Sequence, residues 1–256
     1  MKNIPTASSH QVAELRRLLI ASERLPRQEV AGAPVALTSS EAHYLKRVLR
    51  RRVGDAVAVV DGCGRLWRAM LQSGDTLELD WDSCASEPQP LPRLGLALAL
   101  TRRGFDEAIR MACELGIDAI QPLHCARCTP QAELRPDRWS TILREAVEQC
   151  ERLWLPRLYP VCSIDNWSPS AAVVGVGITR ADAPPSLRGW LQPLTSSEAW
   201  VVVGPEGGWI EAEMNLFADR GWQSIHVGQS ILRSSTAAVR AAVELVQWRE
   251  QFGSSS

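Results

Sequence analysis

The chain has 256 residues, 45% of them hydrophobic and 22% charged, with a formal net charge of −1. That length suits one large domain or two smaller ones with a real core, and the balance is ordinary for a soluble globular protein. No apolar run approaches the roughly 18 residues that span a bilayer. The opening MKNIPTASSHQ lacks the apolar core of a secretory signal, so a cytoplasmic location and no membrane partner are expected.

Only Lys2 and Lys46 are lysines; every other basic residue is arginine, whose planar fork pairs with phosphate and stacks on bases. The arginines are spread along the chain, as a compositional bias would spread them, except in the cluster Lys46, Arg47, Arg50, Arg51 and Arg52. Seven cysteines, an odd number, argue against a disulfide framework. Cys125-x-x-Cys128, with His124, Cys150 and Cys162 nearby, raises the question of zinc. The later cysteines form no second C-x-x-C, so buried free thiols and no metal are expected.

In chain order, residues 1–14 read as a flexible extension. Residues 15–83 read as a compact β domain, a small barrel with strands RRLLI, VGDAVAVVDG, RLWRAMLQS and DTLELDW. Turn signals fall at Asp61-Gly62-Cys63-Gly64 and Ser73-Gly74-Asp75. A helix is predicted over Ser39–Arg51, capped by Ser39 or Ser40. Residues 84–92, with three prolines, read as a linker.

From residue 93 to 252 the pattern changes. LGLALAL, AIQPL, AAVVGVGI, AWVVVG and SIHVG are buried strands. They alternate with helices predicted over Phe105–Leu115 (stopped by Gly116), Arg135–Arg152, Ile210–Gly221 and Ser234–Gln251. Such alternation indicates an α/β domain with a mostly parallel sheet and helices on both faces.

Two turns each follow a short strand: Gly204-Pro205-Glu206-Gly207-Gly208 and Gly228-Gln229-Ser230-Ile231-Leu232-Arg233. Glycines at the carboxyl ends of strands let the backbone approach a ligand, and open α/β sheets bind ligands at that edge. Neither turn has the Walker lysine or G-x-G-x-x-G spacing, which points away from ATP and dinucleotides.

These turns, together with Leu37-Thr-Ser-Ser-Glu-Ala-His43, Arg47-Val-Leu-Arg50, Val53-Gly-Asp55, Glu114-Leu-Gly-Ile117, Pro122-Leu123, Arg127-Cys128 and Glu148-Gln-Cys-Glu-Arg152, resemble the RsmE family. Its members are bacterial methyltransferases of the SPOUT superfamily that modify N3 of a uridine, position 1498, in 16S ribosomal RNA. The resemblance runs from about Arg16 to the last helix, and GPEGG followed by G-x-x-I-L-R is its most specific part. It implies a PUA-like β-barrel RNA-binding domain, a C-terminal trefoil-knot methyltransferase domain, a homodimer and S-adenosyl-L-methionine as methyl donor. A knot is something general folding rules argue against.

By the resemblance, three segments surround the cofactor, at about residues 179–182, 204–208 and 227–236. They supply Thr179, Gly204, Pro205, Gly207, Gly208, Val227, Gly228, Ile231, Leu232 and Thr236. Ile231 and Leu232 fit apolar walls. Glu206 is a candidate catalytic carboxylate near the sulfonium or the uracil, although a carboxylate before a helix also suits the dipole. Arg233 is the second catalytic candidate. Removing the N3 proton puts negative charge on O2 and O4, which a guanidinium stabilises, or it grips a phosphate.

Many relatives carry glutamate where Ser235 stands and arginine where Ser230 stands. The base is therefore left open among hydroxide, a main-chain acceptor and another carboxylate. Arg47, Arg50, Arg51, Arg102, Arg103, Arg127 and Arg152 are candidate RNA contacts. Trp209 suits either base stacking or the core, and His43 is expected to be a satisfied structural histidine. The partner implied is 16S rRNA in the small ribosomal subunit. The alternatives are a SPOUT methyltransferase of another RNA, or a non-catalytic RNA-binding assembly factor.

Overall fold

The computed structural model describes residues 15–26, 34–129, 134–170, 172–179 and 184–253. The expectation for residues 1–14, and the 180–182 part of the first cofactor segment, lie outside the described residues. The chain divides into two compact units, Met1–Gln89 with Val147–Leu155 and Pro90–Ala146 with Pro156–Ser256.

The first unit is a five-stranded sheet of β1 (Arg17–Leu19), β2 (Pro34–Ala36), β3 (Ala56–Val60), β4 (Arg65–Gln72) and β5 (Thr76–Ser86), in the order β1-β3-β4-β5-β2. Only the β1–β3 pair is parallel. Strand β5 runs through to Ser86 and so enters the stretch read as a linker. Alternating residues of these strands, among them Leu18, Val57, Val59, Trp67, Ala69, Leu71 and Leu77, form one buried cluster, as a period of two requires.

Helix α1 (Ser39–His43) widens into a π turn over Tyr44–Val48. It stops earlier than predicted because Arg50 takes the left-handed conformation, with φ of 55°. Its cap is Thr38, not Ser39 or Ser40. The Thr38 hydroxyl accepts the Glu41 N–H at 3.3 Å and the Glu41 carboxylate accepts the Thr38 N–H at 2.8 Å, a reciprocal capping box. Glu41 is buried and also accepts both Nη groups of Arg24, at 2.6 and 2.9 Å.

Val147–Leu155 joins this unit through main-chain pairing. Gly64 N–H donates to the Leu153 carbonyl at 3.0 Å and Leu155 N–H to the Gly62 carbonyl at 2.9 Å. Leu19 N–H donates to Glu148 Oε1 at 2.8 Å, and Arg17 pairs with Glu151. The EQCER motif thus spends two carboxylates on holding β1.

The second unit is a wholly parallel sheet of β6 (Arg93–Ala99), β7 (Ala119–His124), β8 (Arg157–Leu158), β9 (Cys162–Ser163), β10 (Val173–Gly177), β11 (Glu198–Val203) and β12 (Gln223–Ile225). The order is β12-β10-β11-β6-β7-β8, with β9 also on β7. The helices are α2 (Phe105–Leu115), α3 (Pro136–Cys150), α4 (Leu187–Leu191), α5 (Glu211–Asp219) and α6 (Ser234–Gly253). Left-handed Gly116 ends α2 as expected.

Alternation along the strands gives the sheet two apolar faces. Ala97, Ala99, Val174, Val176, Trp200 and Val202 pack with Phe217 of α5 on one face. Leu98 and Val203, of opposite parity, meet Phe105 and Ala108 of α2 and Ala238 of α6 on the other. Gly95 lies opposite Trp200 in the β6–β11 register, and a Cβ there would come within 2.2 Å of the indole. Helix α6 buries Ala238, Ala241, Ala242, Leu245 and Trp248, a single helical stripe. Its far end is tied down where Arg249 donates to buried Asp118 at 2.6 Å and to the Gly116 carbonyl at 2.7 Å.

The cap of α1 sets a test. Thr38→Ala is expected to cost about 1 kcal/mol of stability in urea unfolding. Burial pushes the Glu41 carboxyl up, but the hydrogen bonds from Arg24 and Thr38 outweigh it and hold it below its ordinary value of 4.5. Its stabilisation is therefore present above that value and lost as pH falls through the depressed one. Glu41→Gln should remove that part of the acid destabilisation when urea midpoints are compared across pH.

Candidate active site

Strands β11, β10 and β12 are adjacent in the sheet and parallel, so the loops leaving their carboxyl ends meet. They enclose a cleft of about 360 Å³, within the range of small-molecule sites. Its wall is built from Gly177–Thr179, Val203–Glu206, Gly208–Trp209, Val227–Gly228, Ser230–Leu232, and Met214, Ser234 and Ala237 from the helices.

Of the residues expected to hold a cofactor, Thr179, Gly204, Pro205, Gly208, Val227, Gly228, Ile231 and Leu232 line this cleft. Gly207 does not. It packs on Arg127, whose Nη1 donates to the Gly207 carbonyl at 2.9 Å. Thr236 lines a neighbouring depression with Ser186, Arg188, His226 and Arg240. Ile231 is 65% exposed, an apolar side chain that serves the cleft mouth and not the core.

Side chains from elsewhere in the unit fix the end of β10 and the turn after β11. The Trp209 indole N–H donates to the Gly177 carbonyl at 2.9 Å and its ring meets Phe217 edge-on at 4.9 Å. That ring also lies against Gly204, where a Cβ would come within 2.8 Å of it. The Ser234 hydroxyl, at the start of α6, donates to the Gly204 carbonyl at 2.8 Å. Buried Glu213 accepts the Ile210 N–H at 3.0 Å and the Ala126 N–H at 2.8 Å.

Trp209 is thus half-buried and committed to the loops, closer to the core reading than to base stacking. Ser230 and Ser234 fall in the expected 227–236 segment without having been named as contacts, and Glu213 and Met214 were not expected at the site. Glu213 carried a signal, as an acid at the third position of its helix.

Glu206 is exposed on the turn and lines the cleft. Arg233 is exposed immediately before α6, and its carbonyl accepts the Ala237 N–H at 2.9 Å. It is not among the residues lining the cleft. Ser235 sits against Gly104 at the start of α2.

Arg47 and Arg50 are exposed on the first unit, and Arg152 belongs to the segment grouped with it. In the second unit exposed Arg102 and Arg103 border a depression of about 560 Å³ with Arg135 and Trp139. His43 is exposed at the end of α1, so the expectation of a satisfied structural histidine is corrected.

Cys113 and Cys125 are buried, Cys128, Cys150 and Cys162 half-buried, and Cys63 and Cys84 exposed. Among the described residues no group of three or more His, Cys, Asp or Glu is arranged to hold a metal ion, and no helix is long and apolar enough to cross a membrane.

A parallel sheet with a glycine-lined cleft at its carboxyl edge is shared with a defined class of enzymes. The model of an RNA methyltransferase domain matches residues 87–247, and that of an RNA methyltransferase PUA domain matches residues 37–80. The chain belongs to the family of ribosomal RNA small subunit methyltransferase E. It is 35% identical to that protein from Synechocystis sp. over 93% of this chain and 79% of the relative. The Bacillus subtilis relative is 26% identical over 85% of this chain and 91% of its own length. Among solved structures, ribosomal RNA small subunit methyltransferase E from Neisseria gonorrhoeae bound to S-adenosyl methionine superposes with a TM-score of 0.73. It is 27% identical, over 90% of this chain and 95% of that one.

The Trp209–Gly177 bond joins two of the three loops. Trp209→Phe keeps the ring and removes the donor, so small-molecule affinity at the cleft should fall while stability drops by only about 1 kcal/mol. Calorimetric titration with thermal unfolding on the same sample checks both.

Proposed function

We propose that the chain transfers a methyl group from S-adenosylmethionine to N3 of the family's target uridine in 16S ribosomal RNA of the small subunit. The carrying observation is the cleft where the GPEGG and G-x-x-I-L-R turns converge, in a chain whose Neisseria gonorrhoeae relative is described as bound to S-adenosyl methionine. The residues fit such a ligand. Ile178, Val203, Ile231 and Leu232 offer apolar walls, and glycines at 204 and 228 let main-chain groups approach an adenine edge. When bound, the cofactor supplies an electrophilic methyl on a sulfonium.

The remaining work is positioning and electrostatics. The target base leaves its stack, at a cost of a few kcal/mol, to reach the cleft. Arg233, exposed beside the cleft's third loop, stabilises the charge that develops on O2 and O4 as the N3 proton leaves. Its place at a helix N-terminus is electrostatically unfavourable for a cation, which suits a residue kept for an anionic partner. Glu206, on the rim, faces the sulfonium or the uracil.

Arg102 and Arg103 in their depression, with Arg47, Arg50 and Arg152, take RNA phosphates. Arg127 is the candidate whose observed bond to Gly207 competes with that role. In this proposal a PUA-like RNA-binding domain is followed by a knotted methyltransferase domain, and the enzyme acts as a homodimer in the cytoplasm.

The test is tritiated methyl transfer to small subunits from a strain lacking the gene, with the modified nucleotide mapped. One methyl at N3 of a single uridine is expected; label on isolated tRNA alone would overturn the assignment. Arg233→Ala should lower kcat by roughly 10²–10³-fold with cofactor affinity unchanged. Near-normal turnover with intact binding sinks the role given to Arg233.

A further inference from the structure

The C-x-x-C motif is the one feature of the sequence that the proposed reaction does not use. It forms the turn after β7, closed by Cys128 N–H donating to the Cys125 carbonyl at 3.0 Å. A four-residue turn of this kind brings its end Cα atoms within about 7 Å, close to the roughly 4.4–6.8 Å that a disulfide bridges. The Cys125 N–H also points at the Cys128 sulfur, at 3.3 Å.

The two residues between the cysteines are fastened to the segment that follows β11, Arg127 to the GPEGG turn and Ala126 to Glu213 of α5, the helix after it. Ala126 N–H donates to Glu213 at 2.8 Å, and Arg127 donates to the Gly207 carbonyl at 2.9 Å.

The thiols are unequal. Cys125 is 1% exposed, and Cys128 is half-buried. The hydrogen bond from the Cys125 thiol lowers Cys128 to about 6 against the effect of burial, with further help from the Cys125 N–H and the nearby His124. The same bond, with burial, pushes Cys125 up. The Cys128 thiol also lies 3.8 Å from the Leu123 carbonyl. A half-buried, more acidic thiol beside a buried, less acidic one is the arrangement of an attacking and a resolving cysteine.

We propose that Cys125 and Cys128 are a redox-active dithiol whose oxidation by a low-molecular-weight disulfide loosens the GPEGG wall of the cleft. The Cys128 thiolate attacks one sulfur of oxidised glutathione, forming a mixed disulfide and expelling a glutathione thiolate. The Cys125 proton passes to that thiolate, and the Cys125 sulfur displaces the second glutathione from Cys128. Two protein sulfurs give up two electrons, and one glutathione disulfide becomes two glutathiones. Drawing the sulfurs to about 2.05 Å tightens the turn beneath Ala126 and Arg127, the two residues fastened in this way. The effect on cofactor affinity rests on the reading of the cleft as the S-adenosylmethionine site.

The experiment treats the full chain with oxidised or reduced glutathione. It maps disulfides by peptide mass spectrometry, follows hydrogen exchange of the segment 204–210, and titrates S-adenosylmethionine by calorimetry. Expected are a Cys125–Cys128 bridge, faster exchange in 204–210, and cofactor affinity lowered about tenfold and restored by dithiothreitol. Cys125→Ser should keep the affinity of the reduced protein under oxidation. Adducts confined to Cys63 and Cys84, a bridge from Cys128 to Cys162, or a Cys125–Cys128 bridge that leaves exchange in 204–210 unchanged would each overturn the proposal. A reduced protein that does not bind S-adenosylmethionine overturns the cofactor reading instead, while mapping and exchange still decide the dithiol.

Discussion

The constraint on which the site depends is the parallel register of β10, β11 and β12. Val173 pairs with Ala199 and Gly175 with Gln223, so three strands far apart in sequence end side by side at one edge. Parallel strands send their carboxyl ends, and the loops that follow, to the same side. The three loops of the cleft would not meet without this pairing, and the packing on both sheet faces serves to maintain it. Trp200 covers Gly95 across the β6–β11 pair on one face. Ala238, Ala241 and Ala242 bring α6 close on the other, and the buried Asp118–Arg249 pair fixes that helix at its far end.

The GPEGG turn is closed by Gly208 N–H donating to the Pro205 carbonyl and is held further from outside. Trp209 reaches the Gly177 carbonyl, Ser234 the Gly204 carbonyl, Arg127 the Gly207 carbonyl, and Glu213 receives two main-chain N–H groups. Fixing main-chain dipoles before a ligand arrives reduces the ordering cost of binding. It also makes the cleft sensitive to the turn after β7, since two of these contacts lead there. Chemistry at Cys125 and Cys128 would thus be felt at the GPEGG turn through existing bonds.

Much of this organisation was legible in the chain. Phe105–Leu115 is a helix with the predicted bounds because amphipathic periodicity and Gly116 define it locally. LGLALAL and AWVVVG are buried strands because nothing but a two-sided interior accepts such runs. Eight of the ten residues expected at the cofactor site line the cleft, since glycine turns after strands are local features.

The misses differ in cause. Thr38, not Ser39 or Ser40, is the cap because Thr38-x-x-Glu41 closes a capping box, a local signal to which Arg24 adds a distant contact. Gly207 and Thr236 lie in the expected segments, Gly207 packing on Arg127 and Thr236 lining an adjoining depression that shares Val227, Gly228, Ser230 and Leu232 with the cleft. The roles of Glu213 and Ser234 depend on partners 87 and 30 residues away.

The sequence alone determined the elements, the two glycine turns and the family resemblance, because propensity, periodicity and motif spacing act over a few residues. Only the tertiary structure decided which strands lie side by side, which glycine lines the cleft and which packs on an arginine, and that the C-x-x-C turn is fastened to the GPEGG turn. Those outcomes come from contacts between distant segments, whose free energy exists only after the chain has closed long loops and packed both faces of the sheet.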